Sequence, residues 1–511
     1  MSSPLLCVTI AAPTTAQLRH RRDAVAGADL VELRLDHVRD PDVAAALAGR
    51  RAPVILTCRS KAEGGEFQGS ETERQRILAD ALRLGAEYVD VEFSAGFDDL
   101  IRSTGGKRII LSMHDFDGVP GDLPARVRAM RGAGAEVVKV AVFARSLWDN
   151  LALLDLRDGS SKSVFIGMGP AGVPTRLLAA HFGSAWSYAG DGYAPGQISS
   201  RQMIDEFGFR HITPQTAIYG LAGSPLTHSI SPSMHNAAFR AAGVDAVYVP
   251  MPASSADDFL AFANALHVRG ASVTIPFKVD LFKKADAVDD LSKRVGAINT
   301  LKRHQSKWMA RNTDVSGFLA PLRDRLKLRG ARAAVLGAGG AARAVAVALA
   351  SSGADVRVYA RNQSRAEEVA RTANGKGATL PVPPKSWDLL VNATPVGTQP
   401  AVDDTPFSGE FDGRIVYDLI YNPPLTRFLK EAVAAGCETI GGLDMLVAQA
   451  EDQFEWWTGR RPAAGLMHEA AMARLAIATD TDTSSQSVAS GNSVASGNSV
   501  ASGFSRTRSD L

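Results

Sequence analysis

Short apolar, β-rich runs recur eight times in the first part of the chain, at 5–12, 30–38, 54–60, 88–94, 108–116, 136–144, 163–167 and 185–190. Between them lie Ala-, Leu- and Arg-rich stretches, such as 72–84 and 124–132, whose apolar positions follow the helical period. Strands and helices alternating in this way predict a parallel sheet covered by helices. Eight repeats favour closure into a (β/α)8 barrel over a split open sheet. Glu32 and Arg34 alternate with apolar neighbours and so share one face of the second strand. Arg59 closes the third run, Glu63 follows in a Gly-rich loop, and His114 and Asp115 close the fifth. In a barrel these carboxyl ends form the mouth, so charged groups are expected to converge there.

The alternation stops at a short polar join, 210–216, and a new strand-like run begins at Ala217. Farther on, the run 333–336 enters Gly337-Ala338-Gly339-Gly340-Ala341-Ala342, and a run of good helix formers leaves it. In a dinucleotide-binding turn, Gly337 permits the tight bend, Gly339 lets backbone approach a pyrophosphate, and Ala342 allows close helix–strand packing. The helix N-terminus adds free N–H groups for phosphate. The next strand-like run, 355–360, ends at Arg361, with Arg365 beyond it. Arginines where an NAD fold carries an acidic residue suit the 2′-phosphate of NADP; the plain alternative is a solvated loop. After about 477 the composition turns to Ser, Ala, Gly, Asn and Thr, with Ser-Val-Ala-Ser-Gly-Asn repeated at 487–492 and 493–498. Too little apolar mass is present to offset ordering, so this tail is expected to be disordered.

Composition narrows the class. With 45% hydrophobic and 22% charged residues the chain is ordinary for a globular protein, and 511 residues call for several domains. A net charge of +2 without a basic run leaves no nucleic-acid footprint. No apolar run reaches bilayer-spanning length, and the start lacks the basic region of a presequence. A cytoplasmic protein with small-molecule partners, and none in the membrane, is expected. Cys7, Cys58 and Cys437 are odd in number, widely spaced and set in apolar runs. They read as small buried residues in a reducing compartment, with neither disulfide nor metal site expected.

Lys139 stands inside Val137-Val-Lys-Val-Ala-Val142, with Val138, Val140 and Val142 on the opposite face. In a half-exposed strand it would point to water. Both faces of a barrel strand are covered, so it is either a buried structural ion or a nucleophile. Desolvation and nearby arginines are expected to lower its pKa and leave the neutral amine that attacks a carbonyl. In the second half, a helix starting near Pro232 sets Ser229 and Ser231 beside free N–H groups, for a carboxylate or for ordinary capping. Lys278 follows the strand-like 271–274, and Asp314 ends another polar-tipped run. Held together, such a pair can hand a proton to an oxygen that becomes an alcohol.

Glu32-Leu-Arg34, Arg59-Ser-Lys-Ala-Glu63, Ser112-Met-His114-Asp-Phe, Val138-Lys139-Val-Ala and Ala194-Pro-Gly-Gln197 resemble, in order, the motifs of type I 3-dehydroquinate dehydratase. The resemblance implies an imine at Lys139, with His114 and Glu63 moving protons for loss of water. It makes Arg176 the arginine that holds the substrate carboxylate, and Glu32, Arg34, Arg59 and Gln197 substrate contacts. Tyr193 stands where that family often has serine. From about 217 to 475 the chain resembles shikimate dehydrogenase, through the segments already quoted and through Asn392-Ala-Thr394-Pro-Val-Gly, Tyr417-Asp-Leu-Ile-Tyr421 and Gly442-Leu-Asp-Met-Leu-Val-Ala-Gln449. That likeness makes Lys278 and Asp314 the catalytic pair and Ser229 and Ser231 carboxylate ligands. Thr274, Asn299, Tyr421 and Gln449 fall near the substrate hydroxyls. Gly337, Ala338, Gly339, Gly340, Ala341, Arg361, Arg365 and Thr394 are the expected contacts of NADP(H). The family's Asn-Arg-Thr adenosine-phosphate motif reads Ala360-Arg361-Asn362 here.

The expected organisation is an α/β chain: a barrel over 1–212, a shikimate-binding domain over 213–325, a Rossmann-like NADP domain over 326–442, helices over 443–477 returning to the substrate domain, and the tail 478–511. The order implies a dehydratase making 3-dehydroshikimate from 3-dehydroquinate and a reductase consuming it. Two other readings stay open: a reductase half that acts on quinate, and a non-enzymatic metabolite sensor built from the same domains.

Overall fold

A computed structural model of the chain describes residues 3–159, 161–190, 196–227 and 229–477. Tyr193 and the repeats of the tail lie outside these residues. The first eight strands are β1 (Leu5–Ala11), β2 (Leu30–Arg34), β3 (Val54–Thr57), β4 (Tyr88–Glu92), β5 (Ile109–Asp115), β6 (Val137–Phe143), β7 (Lys162–Met168) and β8 (Trp186–Ala189). All are parallel neighbours in the order β7-β6-β5-β4-β3-β2-β1-β8. The ring is nearly closed: between β7 and β8 one bridge, Ser163 to Ser184, spans the seam. Alternate residues supply two layers. Cys7, Leu30, Ile55, Ile110, Val137 and Ala141 fill the interior, while Val138, Val140 and Val142 face the helices. Because both faces are covered, the strands read as continuous apolar runs. The helix Glu71–Arg83 shows how the outer layer is made. Ser70 and Glu73 close a capping box at its start, and Ile77, Leu78, Ala81 and Leu82 form its buried stripe.

The second sheet contains β9 (Ala217–Gly223), β10 (Ala246–Pro252), β11 (Gly270–Val273), β12 (Ala287–Val288), β13 (Thr300–His304) and β14 (Lys307–Arg311), in the order β10-β9-β11-β13-β14-β12. It is mixed, since β13 runs antiparallel to both its neighbours. The third sheet is wholly parallel, with β15 (Arg332–Leu336), β16 (Asp355–Tyr359), β17 (Lys376–Ala378), β18 (Leu389–Asn392), β19 (Ile415–Asp418) and β20 (Glu438–Ile440) ordered β17-β16-β15-β18-β19-β20. The helix Gly442–Thr458 leaves this sheet and returns to the second, where Trp457 packs 5.2 Å from the ring of Tyr219. Side chains also tie the barrel to the second sheet. Asp258 accepts hydrogen bonds from the backbone N–H groups of Leu147 and Trp148, at 3.1 and 2.7 Å. Glu206 accepts one from the Ser233 hydroxyl at 2.7 Å. Among the described residues no helix is long and apolar enough to cross a membrane, and no group of three or more His, Cys, Asp and Glu could hold a metal ion.

Candidate active sites

At the barrel mouth a cavity of about 90 Å³ is lined by Glu32, Arg34, Arg59, Glu63, His114, Lys139, Arg176 and Gln197, the full set expected there from sequence. Arg34, Arg59, Glu63 and His114 stand at or just beyond the carboxyl ends of their strands, while Glu32 in β2 and Lys139 in β6 sit deeper, in mid-strand. The Lys139 amine donates to Asp90 at 2.8 Å, lies 3.6 Å from Glu32, and stands 4.6 Å over the Tyr188 ring. Beside the burial and the arginines expected from sequence, two carboxylates therefore reach it as well. Asp90 is buried and also lies 3.3 Å from the Arg59 guanidinium and accepts a bond from Ser112 at 2.6 Å. Burial opposes its ionisation, but the charges of Lys139 and Arg59 outweigh burial and hold Asp90 well below the usual carboxylate range. The same balance lowers Glu32, which accepts from the Thr9 and Thr57 hydroxyls at 2.9 and 2.8 Å.

His114 Nδ1 lies 3.0 Å from Glu63 Oε2, and Ser94 donates to the other Glu63 oxygen at 2.5 Å. Burial first, then the charges of Arg59 and Lys139, push the His114 pKa well below its usual value, while burial raises Glu63. The imidazole is thus neutral at neutral pH. With Nδ1–H donated to Glu63, the Nε2 lone pair is the basic atom, and a guanidinium N–H of Arg59 meets it. Arg34 is locked by a two-pronged pairing with Asp36, at 2.9 and 2.7 Å. Arg176, on the short helix Val173–Leu177, is buried; burial alone pushes its pKa down to about 10, which leaves it cationic at neutral pH.

The second half holds a cavity of about 370 Å³ lined by Ser229, Ser231, Thr274, Lys278, Asn299, Asp314, Tyr421 and Gln449. Lys278 begins one helix and Asp314 another, and their side chains meet at 2.6 Å. Asn299 fixes the carboxylate, donating to its other oxygen at 2.7 Å and standing 3.1 Å from Gln449 Oε1. Neither serine caps the helix Ser231–Ala241: the capping position is Ile230, which makes no side-chain bond. Ser229 instead accepts the Ser231 N–H at 3.3 Å.

A larger cavity, about 870 Å³, runs from Gly337, Ala338, Gly339, Gly340 and Ala341 past Thr394 to Arg361 and Arg365. Gly337 has φ +112°, and a Cβ there would stand 2.9 Å from the Ala393 carbonyl oxygen and 3.0 Å from the Thr394 methyl. Only glycine fits such a turn without strain. Above Gly339, by contrast, space is open within 4 Å of a notional Cβ, leaving room for phosphate beside the helix Gly340–Ser351. The dimensions and donor set fit a dinucleotide with a phosphate on its adenosine ribose. Thr274, Lys278 and Ala341 line both this cavity and the previous one, so the two meet at the lysine–aspartate pair.

Sequence reasoning passed over several residues gathered here. Asp90 is the partner of Lys139, Tyr188 forms its apolar wall, and Gln453 donates to Thr300 at 3.0 Å beneath the second cavity. A carboxylate inside the buried alternation of β4 was the available signal for Asp90.

Comparison with known proteins agrees with this geometry. Residues 6–214 match type I 3-dehydroquinase, 221–301 the shikimate dehydrogenase substrate binding domain, and 442–472 the shikimate 5′-dehydrogenase C-terminal domain. The chloroplastic bifunctional 3-dehydroquinate dehydratase/shikimate dehydrogenase of Arabidopsis thaliana is 34% identical over 471 residues, spanning 85% of this chain and 78% of that protein. The shikimate dehydrogenase (NADP(+)) of Moorella thermoacetica is 41% identical over 273 residues, 50% of this chain and 92% of that one. The solved shikimate 5-dehydrogenase of Thermus thermophilus, in complex with NADP(H) and shikimate, aligns at TM-score 0.47 and 34% identity, over 50% of this chain and 99% of that one. Two lysine-centred cavities in one chain, with a relative matched across both halves, lead to one conclusion: the chain belongs to the family of bifunctional 3-dehydroquinate dehydratase/shikimate dehydrogenases.

Proposed function

We propose that the barrel dehydrates 3-dehydroquinate through an imine on Lys139 and that the second half reduces the product, 3-dehydroshikimate, to shikimate with NADPH. The observation that carries this reading is that every residue expected from sequence in each half lines a single cavity of that half, or the cofactor cavity joined to it. The working units are the barrel to about residue 212, a substrate domain over 213–325 completed by 443–477, and a cofactor domain over 326–442.

In the barrel, Arg176 receives the substrate carboxylate and Arg34 and Arg59 the hydroxyl side. The Lys139 amine adds to the ketone carbon, and loss of water from that adduct leaves the imine. His114 Nε2 then takes a proton from the neighbouring carbon, and the resulting imidazolium returns it to the departing hydroxyl, which leaves as water. Hydrolysis of the imine frees the unsaturated ketone and restores Lys139. Glu63 holds the imidazole in the required tautomer.

In the second half, Ser229 and Ser231 hold the carboxylate, while Thr274, Asn299, Tyr421 and Gln449 orient the ring hydroxyls. Gly337–Ala341 and Thr394 would hold the phosphates of NADPH and Arg361 and Arg365 its 2′-phosphate, and the bound cofactor would serve as the hydride source for the ketone carbon. Lys278 gives a proton to the ketone oxygen, and Asp314, braced by Asn299, keeps the ammonium aimed. A reducing, cytoplasmic setting fits the free cysteines, of which Cys7 and Cys58 are buried. The test is direct: with 3-dehydroquinate and NADPH supplied together, shikimate should form and NADPH be consumed in equal amount. Consumption only with added 3-dehydroshikimate would remove the first activity; accumulation of 3-dehydroshikimate would remove the second.

A further inference from the structure

A cavity of about 270 Å³ lies at the junction of barrel and second sheet, apart from both catalytic centres. The barrel contributes Arg157, which precedes β7, and His181, which precedes β8. The second half contributes His267 and Arg269, just before β11, and the connection contributes Gln215 and Thr216. These positions are at the amino ends of their strands, whereas the barrel's chemistry sits at the carboxyl ends.

Two arginines and two histidines line the space and no carboxylate does. Arg157 is fixed by donating to the carbonyls of Leu154 and His181. Among the described residues neither Arg157 nor Arg269 has an ion-pair partner within 4 Å. His181 meets the Thr216 carbonyl through Nε2 at 3.0 Å, and its buried Nδ1 has no hydrogen-bond partner. The one carboxylate whose charge reaches His181 is Asp245, outside the lining. Two guanidinium groups that share a concave surface without a carboxylate between them repel one another until an anion compensates them. We propose that this junction cavity is a binding site for a small polyanion bearing phosphate or carboxylate groups, held by Arg157 of the barrel together with Arg269 of the dehydrogenase half. Such a ligand bridges the two halves and stabilises their docking.

The test uses the full chain with saturating NADP⁺ and 3-dehydroshikimate, a pair that fills the catalytic cavities and supports no net reduction. Inorganic pyrophosphate and citrate are titrated separately against sodium chloride of equal ionic strength, and the melting temperature is followed. At least one should raise it in a saturable way, by an amount that grows with the logarithm of its concentration; the better of the two identifies phosphate or carboxylate as the preferred group. Arg157→Ser and Arg269→Ser should each weaken the response by about tenfold, the scale of one lost charge-assisted contact. Arg269→Lys should retain most of it, and all three variants should keep both turnover rates. The proposal is overturned if neither anion exceeds chloride, or if the serine variants respond as the parent does.

Discussion

Acidification should weaken the dehydrogenase half through one residue, His235. It lies on the helix Ser231–Ala241, wholly buried, stacked 4.5 Å from the Tyr248 ring and 5.1 Å from that of Trp457. Neither ring nitrogen has a hydrogen-bond partner in good geometry. Burial, offset only slightly by Gln453, pushes its pKa down to about 3 from an ordinary 6.5. Above 6.5 the residue is neutral in folded and unfolded chains alike, so its full contribution to stability is present. Below 6.5 the unfolded chain binds a proton that the folded chain refuses, and stability falls with each step of acidification until the folded pKa is reached. The loss is about 1.4 kcal/mol per pH unit, hence about 1.4 kcal/mol at roughly pH 5.5. His235→Phe keeps an aromatic ring of similar size against Tyr248 and Trp457 but removes the titration. Urea unfolding of the dehydrogenase half, followed by reductase activity and tryptophan fluorescence, should show parent and variant changing differently. Relative to the variant, the parent should lose about 1.4 kcal/mol between about pH 7.5 and 5.5. Parallel pH profiles would refute the reasoning, since other histidines are common to both proteins and cancel in the difference.

Further outcomes follow from the two sites. Lys139→Ala should abolish conversion of 3-dehydroquinate yet leave reduction of added 3-dehydroshikimate near normal, because Arg59 still compensates Asp90 at 3.3 Å; a crippled reductase in the folded variant would mean that the sites are coupled. His114→Ala should still be trapped on Lys139 by borohydride with substrate, while turnover falls by on the order of 10²–10⁴ for lost proton transfer. Arg361→Asp should shift the NADPH-to-NADH preference toward NADH, as a carboxylate there repels the 2′-phosphate; an unchanged ratio would put the adenosine pocket elsewhere.

The barrel was legible because strands covered on both faces write themselves as apolar runs with polar ends, and all eight runs contain a strand. Lys139 was legible for the same reason, as a charge in a run that tolerates none. Its surroundings were not. Asp90 lies 49 positions away, and Val-Asp-Val-Glu also describes a half-exposed strand, so its pairing needed the closed sheet to be seen. The glycine turn could be read locally because strand, turn and helix adjoin in sequence. Ser229 and Ser231 could not be separated from helix caps until the capping position was known to fall at Ile230. The junction cavity left no trace at all, since Arg157 and Arg269 carry no motif and meet only through domain docking.

The seam between β7 and β8 gives the barrel a place to breathe. There the Phe165 amide is held by the Ser184 hydroxyl at 2.9 Å, and the Ala185 N–H donates to the Ser163 carbonyl at 2.8 Å beside the single bridge. Amides along this line should exchange with deuterated solvent sooner than those between β5 and β6, where pairing is continuous. The helix carrying Arg176 is the connection between these two strands, and its guanidinium reaches the Tyr188 carbonyl of β8. With Arg176 holding the substrate carboxylate as proposed, occupancy of the barrel should slow exchange at Phe165 and Ala185 without altering β5. Retention of substrate and the local opening of the ring would then be two readings of one motion.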